Sequence, residues 1–197
     1  MSNEEWTLLL AATVSSSATL AAVWLRHVLS KKQTCDPIEK ETKFNQNVYT
    51  ALDFTLNEMK ADRAYVLEFH NGIHYFSGRS QQKFSCSYEV VEEGISAECQ
   101  NSQDHKISNY HNYISTLVDN GKFSFEEVSK VEDHIFQSLL RHKGVKSIFN
   151  VPIKTLNGKM IGILGVDYVA QASPIKFDEE TYKFFKRQAR VIAGYLL

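Results

Sequence analysis

Two histidines and a cysteine are the residues of this sequence whose types and spacing could support chemistry. His70 and His74 have the HxxxH spacing that, on a helix, would turn two imidazoles to one face, where they could share a metal ion. Asn71 and Gly72 lie between them and predict a break in regular structure, so a loop histidine is the better interpretation and we expect no metal site. Cys86 lies on the apolar face of a predicted strand, which favours a buried thiol over a nucleophile.

Motifs of common catalytic sites are missing from the sequence. It has no GxSxG motif, no P-loop and no pair of carboxylates with a catalytic spacing. The acidic run that begins at Asp178 is interpreted more simply as the N-terminus of a helix. We therefore expect a protein that is not an enzyme and that needs no cofactor.

Composition excludes several classes of protein. The 197 residues include 22 Lys and Arg against 23 Asp and Glu, a formal charge of −1, so no nucleic-acid partner is expected. Hydrophobic residues make up 43% of the chain, which is typical of a globular protein and not of a disordered one. The 3 cysteines are an odd number, which argues against a disulfide framework and favours a reducing compartment.

An uncharged segment precedes the main body of the sequence. The 20 residues from Trp6 to Leu25 would form a helix about 30 Å long, which matches the hydrocarbon core of a bilayer. We therefore expect a short polar N-terminus over 1–5, a single transmembrane helix over 6–25 and a basic juxtamembrane linker over 26–35. Hydroxyl residues in the middle of the segment lower its hydrophobicity.

The charges that flank this segment predict its orientation. Arg26, Lys31 and Lys32 follow it, and the positive-inside rule places such residues in the cytoplasm. The predicted localisation is therefore the inner (cytoplasmic) membrane, crossed in a single pass, with the lipid bilayer as a partner and the soluble domain in the cytoplasm.

A stripe of small residues runs along one face of the segment. Its members recur at i, i+4, i+7 and i+11, a spacing that lets helices approach closely in lipid and predicts a homo-oligomer such as a dimer. Two other interpretations stay open, because the hydroxyls could bond to carbonyls of their own helix or could line water in an oligomeric pore. The stripe consists of Ala11, Ser15, Ala18 and Ala22.

The rest of the sequence, 36–197, contains helix and strand patterns that predict an α+β domain. Asn157-Gly158 between two alternating apolar runs predicts a β-hairpin. The order of elements predicts an antiparallel sheet backed by N- and C-terminal helices. Predicted helices lie over 36–60, near 110–118, within 125–142 and from 177 to the C-terminus; predicted strands lie over 64–69, over 83–91 with Phe84, Cys86 and Tyr88 on one face, over 147–154 and over 160–169.

Two stretches of this body resemble a known family. The run GVKSIFNVPIKTLNGKMIGILGVDYV followed by FDEETYKFFKRQARVIAGYL resembles the second half of a GAF domain, with a strand ending in V-P, a turn, an I-G-I-L strand and an acidic-capped final helix. The run ADRAYVLEFHNG is similar to the family's first strand. The resemblance covers 36–197, is strongest over 144–197 and implies a GAF/PAS-like fold. It is not specific for a function, because this fold hosts many ligands.

The resemblance also implies a ligand site. In GAF domains the ligand cup lies over the sheet and is closed by the segment between the second and later strands. Here Arg79 and Lys83 could hold an anionic group and Tyr75 could stack on a ring. The alternative is an ordinary solvated loop and sheet edge. The expected ligand-binding residues are Phe69, His70, Asn71, Tyr75, Arg79, Lys83 and Tyr88.

A second resemblance concerns the turn after the first strand. The run HNGIHYFSGRSQQKF is similar to a phage-encoded branch of GAF-like proteins. One membrane helix followed by such a body resembles the holins of T-even phages, which carry an N-G-x-H-Y-x-S stretch. Those holins place the soluble body outside the inner membrane, whereas the flanking charges of this sequence predict the inside.

Three functional hypotheses follow from these observations. The first is a membrane-tethered, non-enzymatic regulatory domain that binds a small molecule or a protein partner as a dimer. The second is a phage holin-type lysis protein, whose membrane helix oligomerises to permeabilise the inner membrane and whose soluble domain binds a regulator. The third, a GAF-fold methionine sulfoxide reductase, would use Cys86 and Cys99, but the glycine-rich context of such thiols is missing.

Overall fold

The computed structural model describes residues 2–32 and 36–197, and the chain divides into two compact units, Met1–Lys43 and Phe44–Leu197. The first unit contains helix α1, Asn3–Lys32, and the beginning of helix α2, Pro37–Met59. Helix α1 runs without interruption across the predicted boundaries at 5/6 and 25/26. The part of the predicted linker at 33–35 lies outside the described residues.

The prediction of a transmembrane helix over 6–25 is wrong. None of the helices within residues 2–32 and 36–197 is both long enough and apolar enough to cross a membrane. The hydroxyl residues at the centre of the segment, Thr13, Ser16, Ser17 and Thr19, each lower its hydropathy. The predicted single-pass location in the inner membrane is corrected by the same finding.

The small-residue stripe predicted for helix association lies on α1. Ala18 and Ala22 are exposed, whereas the side chains of Ala11 and Ser15 lie outside the part of the chain whose side chains are described.

The second unit is built on one antiparallel sheet of six strands. Its order is β3-β2-β1-β6-β5-β4, so the two central strands come from the beginning and the end of the body. The strands are β1 Arg63–His74, β2 Ser80–Val91, β3 His105–Lys106, β4 Phe123–Phe125, β5 Ser147–Lys154 and β6 Met160–Tyr168; the helices of this unit after α2 are α3 His111–Asn120, α4 His134–His142 and α5 Glu179–Tyr195.

The sheet is covered on both faces. On one face α2 and α5 pack against β1, β5 and β6 around Leu52, Phe149 and Phe185. On the other face α3, α4 and the segments next to them pack against the same strands around Tyr113 and Phe136. Double coverage explains why β5 and β6 are almost continuously buried instead of alternating between buried and exposed residues.

Local signals place the ends of several elements where the sequence predicts them. Asp178 caps α5, accepting a hydrogen bond from the Thr181 amide. Asp133 caps α4 in the same manner, whereas the sequence predicts only a helix somewhere within 125–142. The β5–β6 hairpin turns at Asn157-Gly158, with Gly158 at a φ of +83°. Helix α2, at Pro37–Met59, confirms the predicted helix over 36–60.

The β1–β2 pair differs from prediction in two ways. Strand β1 does not end before His70 but continues to His74, because Asn71 pairs with Gln82 and His74 pairs with Ser80 across the hairpin. An irregularity between Val66 and Leu67 also changes the register, so that Val66 faces Tyr88 and Leu67 faces Cys86.

The extra residue in β2, Ser87, reverses the alternation of side chains along the strand. Phe84 and Cys86 pack with the α3–α4 face, whereas Tyr88 packs with the α2–α5 face. The prediction that Phe84, Cys86 and Tyr88 share one face is therefore wrong.

Candidate functional site

A small cavity lies between the sheet and the α3–α4 face. It encloses about 40 Å³, enough for a few water molecules. Its apolar wall is formed by Leu67, Phe84, Cys86, Phe136, Leu139 and Leu140, and its polar wall by Tyr65, Glu89, Glu98, Ser102, His105, Tyr113, Lys143, Asn150 and Asp167. So many polar side chains are unusual at the centre of an apolar layer, because burial of a polar group costs free energy unless that group is hydrogen-bonded.

A chain of hydrogen bonds between side chains forms the floor of the cavity. The Tyr65 hydroxyl on β1 lies 3.0 Å from both Asn150 Oδ1 and Asp167 Oδ1. Asn150 Nδ2 donates in turn to the Tyr113 hydroxyl, 2.7 Å away on α3. Burial raises the pKa of both tyrosines, so both hydroxyls stay protonated at neutral pH. The network ties three strands of the sheet to the helix that covers them.

Arg63 and Asp167 form a buried ion pair beside this floor. Arg63 is only 1% exposed, and its Nη1 lies 3.7 Å from Asp167 Oδ2. Its Nε donates to the Ser96 carbonyl and its Nη2 to the Lys143 carbonyl. Burial raises the pKa of Asp167 to about 6, and the nearby guanidinium opposes this effect without cancelling it.

Polar contacts hold the segment that closes the cavity, here called the cover, which contains Glu98, Cys99 and Ser102. Glu89 Oε2 accepts hydrogen bonds from the amides of Glu98 and Cys99, each at 2.8 Å. Lys143, which extends from the end of α4, donates through Nζ to Ser102 Oγ. The cover is thus attached by side chains that also line the cavity.

His105, which lines the cavity, has one ring nitrogen without a hydrogen-bond partner among the described residues. Its Nδ1 lies 3.2 Å from the Tyr110 hydroxyl, whereas its Nε2 is buried without a hydrogen-bond partner among the described residues. Burial and the Lys143 ammonium lower the pKa of this imidazole, which favours the neutral ring. Arg63 Nη1 is the other buried side-chain atom without such a partner in residues 2–32 and 36–197.

None of the seven residues that the sequence predicted as ligand-binding lines this cavity. Phe69 is nearest to it in the packing, because its ring contacts Phe84 with centroids 6.4 Å apart. Tyr88 lies on the opposite face of the sheet, where its hydroxyl donates to Asn45 Oδ1 at 2.6 Å. Their predicted role in ligand binding stays a prediction.

The other five predicted residues gather at the exposed end of the β1–β2 hairpin. His70 Nε2 lies 2.8 Å from Ser85 Oγ, and Asn71 Oδ1 accepts from Gln82 Nε2 at 2.9 Å.

Three of these five carry the predicted anion-holding and stacking roles. The Arg79 guanidinium lies 4.9 Å from the centre of the Tyr75 ring. Lys83 Nζ forms an ion pair with Asp104 at 2.8 Å. Across the described part of the chain, no group of three His, Cys, Asp or Glu side chains could hold a metal ion.

The polar wall was missed by sequence reasoning, although a signal for it exists. Asn150 and Asp167 interrupt the runs SIFNVPIK and MIGILGVDYV, which are otherwise almost entirely apolar. A polar residue in a doubly covered strand must find a buried partner. This signal identifies the two residues but not their partners, which lie far away in the sequence.

Comparison with known proteins finds similar structures but no similar sequences. No family model and no curated protein matches the sequence. The blue-light absorbing form of the PixJ GAF domain from Thermosynechococcus elongatus matches with a TM-score of 0.63 and 14% identity, over 82% of this chain and 89% of that one. A GAF domain region from Geobacter sulfurreducens matches with a TM-score of 0.58 and 16% identity, over 81% of this chain and 96% of that one. The far-red absorbing dark state of JSC1_58120g3 with bound biliverdin matches with a TM-score of 0.56 and 13% identity, over 80% of this chain and 97% of that one.

At these identities the likeness establishes the fold alone. The body has a GAF-like α+β fold, as its sequence predicts. The resemblance to phage proteins and to holins finds no support in these comparisons.

Proposed function

We propose that this GAF-like body is a non-enzymatic regulatory module that binds a small molecule in the cavity between the sheet and the α3–α4 face. The observation that carries the proposal is the ring of polar side chains around that cavity, inside an otherwise apolar layer. Its solved neighbours include a protein with bound biliverdin, which supports a small organic ligand as the class to test.

Energetics argue for a role beyond stability. Replacing a buried ion pair by apolar residues is often neutral or stabilising. Stability alone is therefore a poor explanation for the presence of the Arg63–Asp167 pair. A buried polar atom without a partner costs about 1–3 kcal/mol, and Nε2 of the cavity-lining His105 is such an atom among the described residues. A ligand that bonds to the imidazole would recover this cost on binding.

The wall also defines the chemistry of the ligand. Lys143 and His105 offer polar nitrogen atoms, Glu98 and Asp167 offer acceptors, and Phe136 adds an apolar surface. We expect a compact molecule with an apolar or ring body and polar groups at more than one position.

Entry of such a ligand requires the cover to move, since the cavity now holds only about 40 Å³. The Lys143–Ser102 contact and the Glu89 carboxylate hold the cover closed. A ligand that takes over either contact would therefore change the cover, and this change is the regulatory output that we propose.

A thermal-shift screen with a matched pair of variants tests the proposal. The purified protein is heated with a panel of nucleotides, bilins and common metabolites, and binding raises the melting temperature. Leu139→Trp places a large side chain on the cavity wall, whereas Ile135→Trp adds the same side chain one turn earlier on α4, at an exposed position.

We expect at least one compound to stabilise the wild type and the Ile135→Trp variant but not the Leu139→Trp variant. Flat responses of the wild type to the whole panel, or equal responses of both variants, would count against a ligand in this cavity.

A further inference from the structure

A second, larger concavity lies on the other side of the body, between α5 and the β5–β6 hairpin. It encloses about 810 Å³, within the range of roughly 300–1,000 Å³ that is typical of small-molecule sites. The residues that line it come from α5, from the end of β5 and from the hairpin turn, with Gly121 at one end. It shares no lining residue with the cavity of the proposed function.

The groove is open because α5 presents small residues to it. Ala189, Ala193 and Gly194 line its helix side, and a Cβ built on Gly194 would meet no atom within 4 Å. On the opposite side Leu156 stands fully exposed in the hairpin turn. Pro152 adds further apolar surface, so an apolar body could be buried here without displacing any side chain of the helix.

The charged side chains that line the groove are all basic. Lys154, Lys186 and Arg190 belong to its lining, and no acidic side chain does, although acidic and basic residues are balanced in the whole chain. Within residues 2–32 and 36–197 none of these three cations takes part in an ion pair. One of them, Lys186, is on the exposed surface of α5, one turn before Arg190.

An aromatic ring completes the groove. Tyr182 lines it one turn before Lys186, and the Lys186 ammonium lies 5.8 Å from the centre of its ring. The Lys122 ammonium lies 5.2 Å from the same ring. The tyrosine therefore adds a surface for stacking next to the positive charges.

We propose that this groove binds an amphipathic small-molecule anion, in which a carboxylate, sulfonate or phosphate is attached to an apolar or aromatic body. The anionic group interacts with Lys154, Lys186 and Arg190 by charge-assisted hydrogen bonds. The apolar body covers Pro152, Gly194 and the exposed Leu156. The site is independent of the ligand proposed for the α3–α4 cavity.

Two fluorescent probes of matched shape test both parts of this proposal. The first, 1-anilinonaphthalene-8-sulfonate, carries an anion on an aromatic body, and the second, N-phenyl-1-naphthylamine, has the same body without the charge. Each is titrated into the whole protein, and the rise in fluorescence gives the dissociation constant. We expect saturable binding of the sulfonate at one site, about tenfold tighter than binding of the uncharged probe.

Variants on α5 locate the site. The double variant Lys186→Gln with Arg190→Gln removes two lining cations, whereas Lys183→Gln with Arg187→Gln removes two exposed cations of the same helix outside the lining. We expect about tenfold weaker sulfonate binding in the first double variant and less than a twofold change in the second. Gly194→Leu fills the groove at a position with free space and should abolish binding.

The outcomes separate this site from the cavity. Loss of sulfonate binding in Leu139→Trp, with retention in Gly194→Leu, would place the probe in the α3–α4 cavity and overturn the proposal. An equal effect of the two double variants would also overturn it, because the sulfonate would then respond to the overall positive charge of α5 and not to the groove. Equal affinity for the two probes would overturn it as well, because binding would then need only an apolar surface. Far-UV circular dichroism of each variant verifies that it is folded.

Discussion

Two opposing effects act on the pKa of Asp167, because burial raises it and the Arg63 guanidinium lowers it. The pH dependence of stability shows which effect is larger. Asp167→Asn removes the titrating carboxyl and keeps an oxygen that can accept the Tyr65 hydroxyl bond. The pKa of about 6 in the folded protein, against an ordinary value of 3.8, corresponds to about 3 kcal/mol of unfolding free energy.

The sign of this contribution follows from the direction of the shift. Because the pKa of the acid is higher in the folded protein than in the unfolded chain, the folded state holds the proton more tightly. The contribution of the Asp167 carboxyl to the stability of the folded protein is therefore complete below pH 3.8 and is lost as the pH rises through 6. Most of the loss, about 2 kcal/mol, falls between about pH 4 and pH 7.

Urea unfolding followed by far-UV circular dichroism measures the effect. Unfolding free energies of the wild type and of Asp167→Asn are compared at about pH 4, 5.5 and 7. The variant leaves Arg63 without its counter-ion at every pH, which lowers its stability by a nearly constant amount. The free energy of the wild type minus that of the variant should therefore fall by about 2 kcal/mol as the pH rises across this range.

Asp104→Asn is the matched control. Asp104 is exposed, and its hydrogen bond and ion pair with Lys83 lower its pKa, so its contribution grows as the pH rises and has the opposite sign. Its φ of 58° is tolerated by asparagine. A wild-type-minus-Asp167→Asn difference that is flat or rises with pH would refute the reasoning, because it would mean that pairing with Arg63 outweighs burial.

Three further substitutions test the packing around the same sheet, each by its unfolding free energy in urea. Asn150→Leu should cost about 2–4 kcal/mol because it removes the partner of two tyrosine hydroxyls, and a loss under about 0.5 kcal/mol would contradict the network. Gly165→Ala should cost about 1–3 kcal/mol because its Cβ would overlap the Asn150 side-chain oxygen and lie 2.5 Å from the Tyr65 ring; unchanged stability would show that both side chains can move aside. Gly121→Ala should destabilise the protein more than Gly78→Ala. Both glycines have a positive φ, but only at Gly121 would the added Cβ lie 2.6 Å from a tyrosine hydroxyl on α5. Equal losses of stability would mean that the positive φ alone causes the effect.

The parts of the fold that the sequence predicts correctly are those governed by neighbouring residues. The Asn157-Gly158 turn, the Asp178 cap and the apolar period of α2 each need only a few residues to be recognised. The bulge at Ser87 has no such signal, because the alternation of KFSCSYEVV continues through it. A single extra residue then moves Tyr88 to the other face and separates it from the other residues expected to bind a ligand.

The candidate site is harder to predict, because its parts are remote in the sequence. Tyr65 meets Asn150 and Asp167 only when β1 lies beside β6, which is also paired with β5. The residues around the HNG turn looked more like a site, since loops often carry function. Strand pairing instead extends β1 through that turn, and the cavity forms at the middle of the sheet.

The position of β1 at the centre of the sheet has a consequence for synthesis on the ribosome. Its partner β6 pairs Asp167 with Arg63, so roughly 100 residues must be translated before the inner edge of β1 is covered. At about 5–20 residues per second this takes roughly 5–20 s, during which an apolar strand edge is available to other nascent chains. Slower elongation over residues 75–160 would lengthen that exposure, so codon choice in this stretch should affect the yield of folded protein more than codon choice in α1.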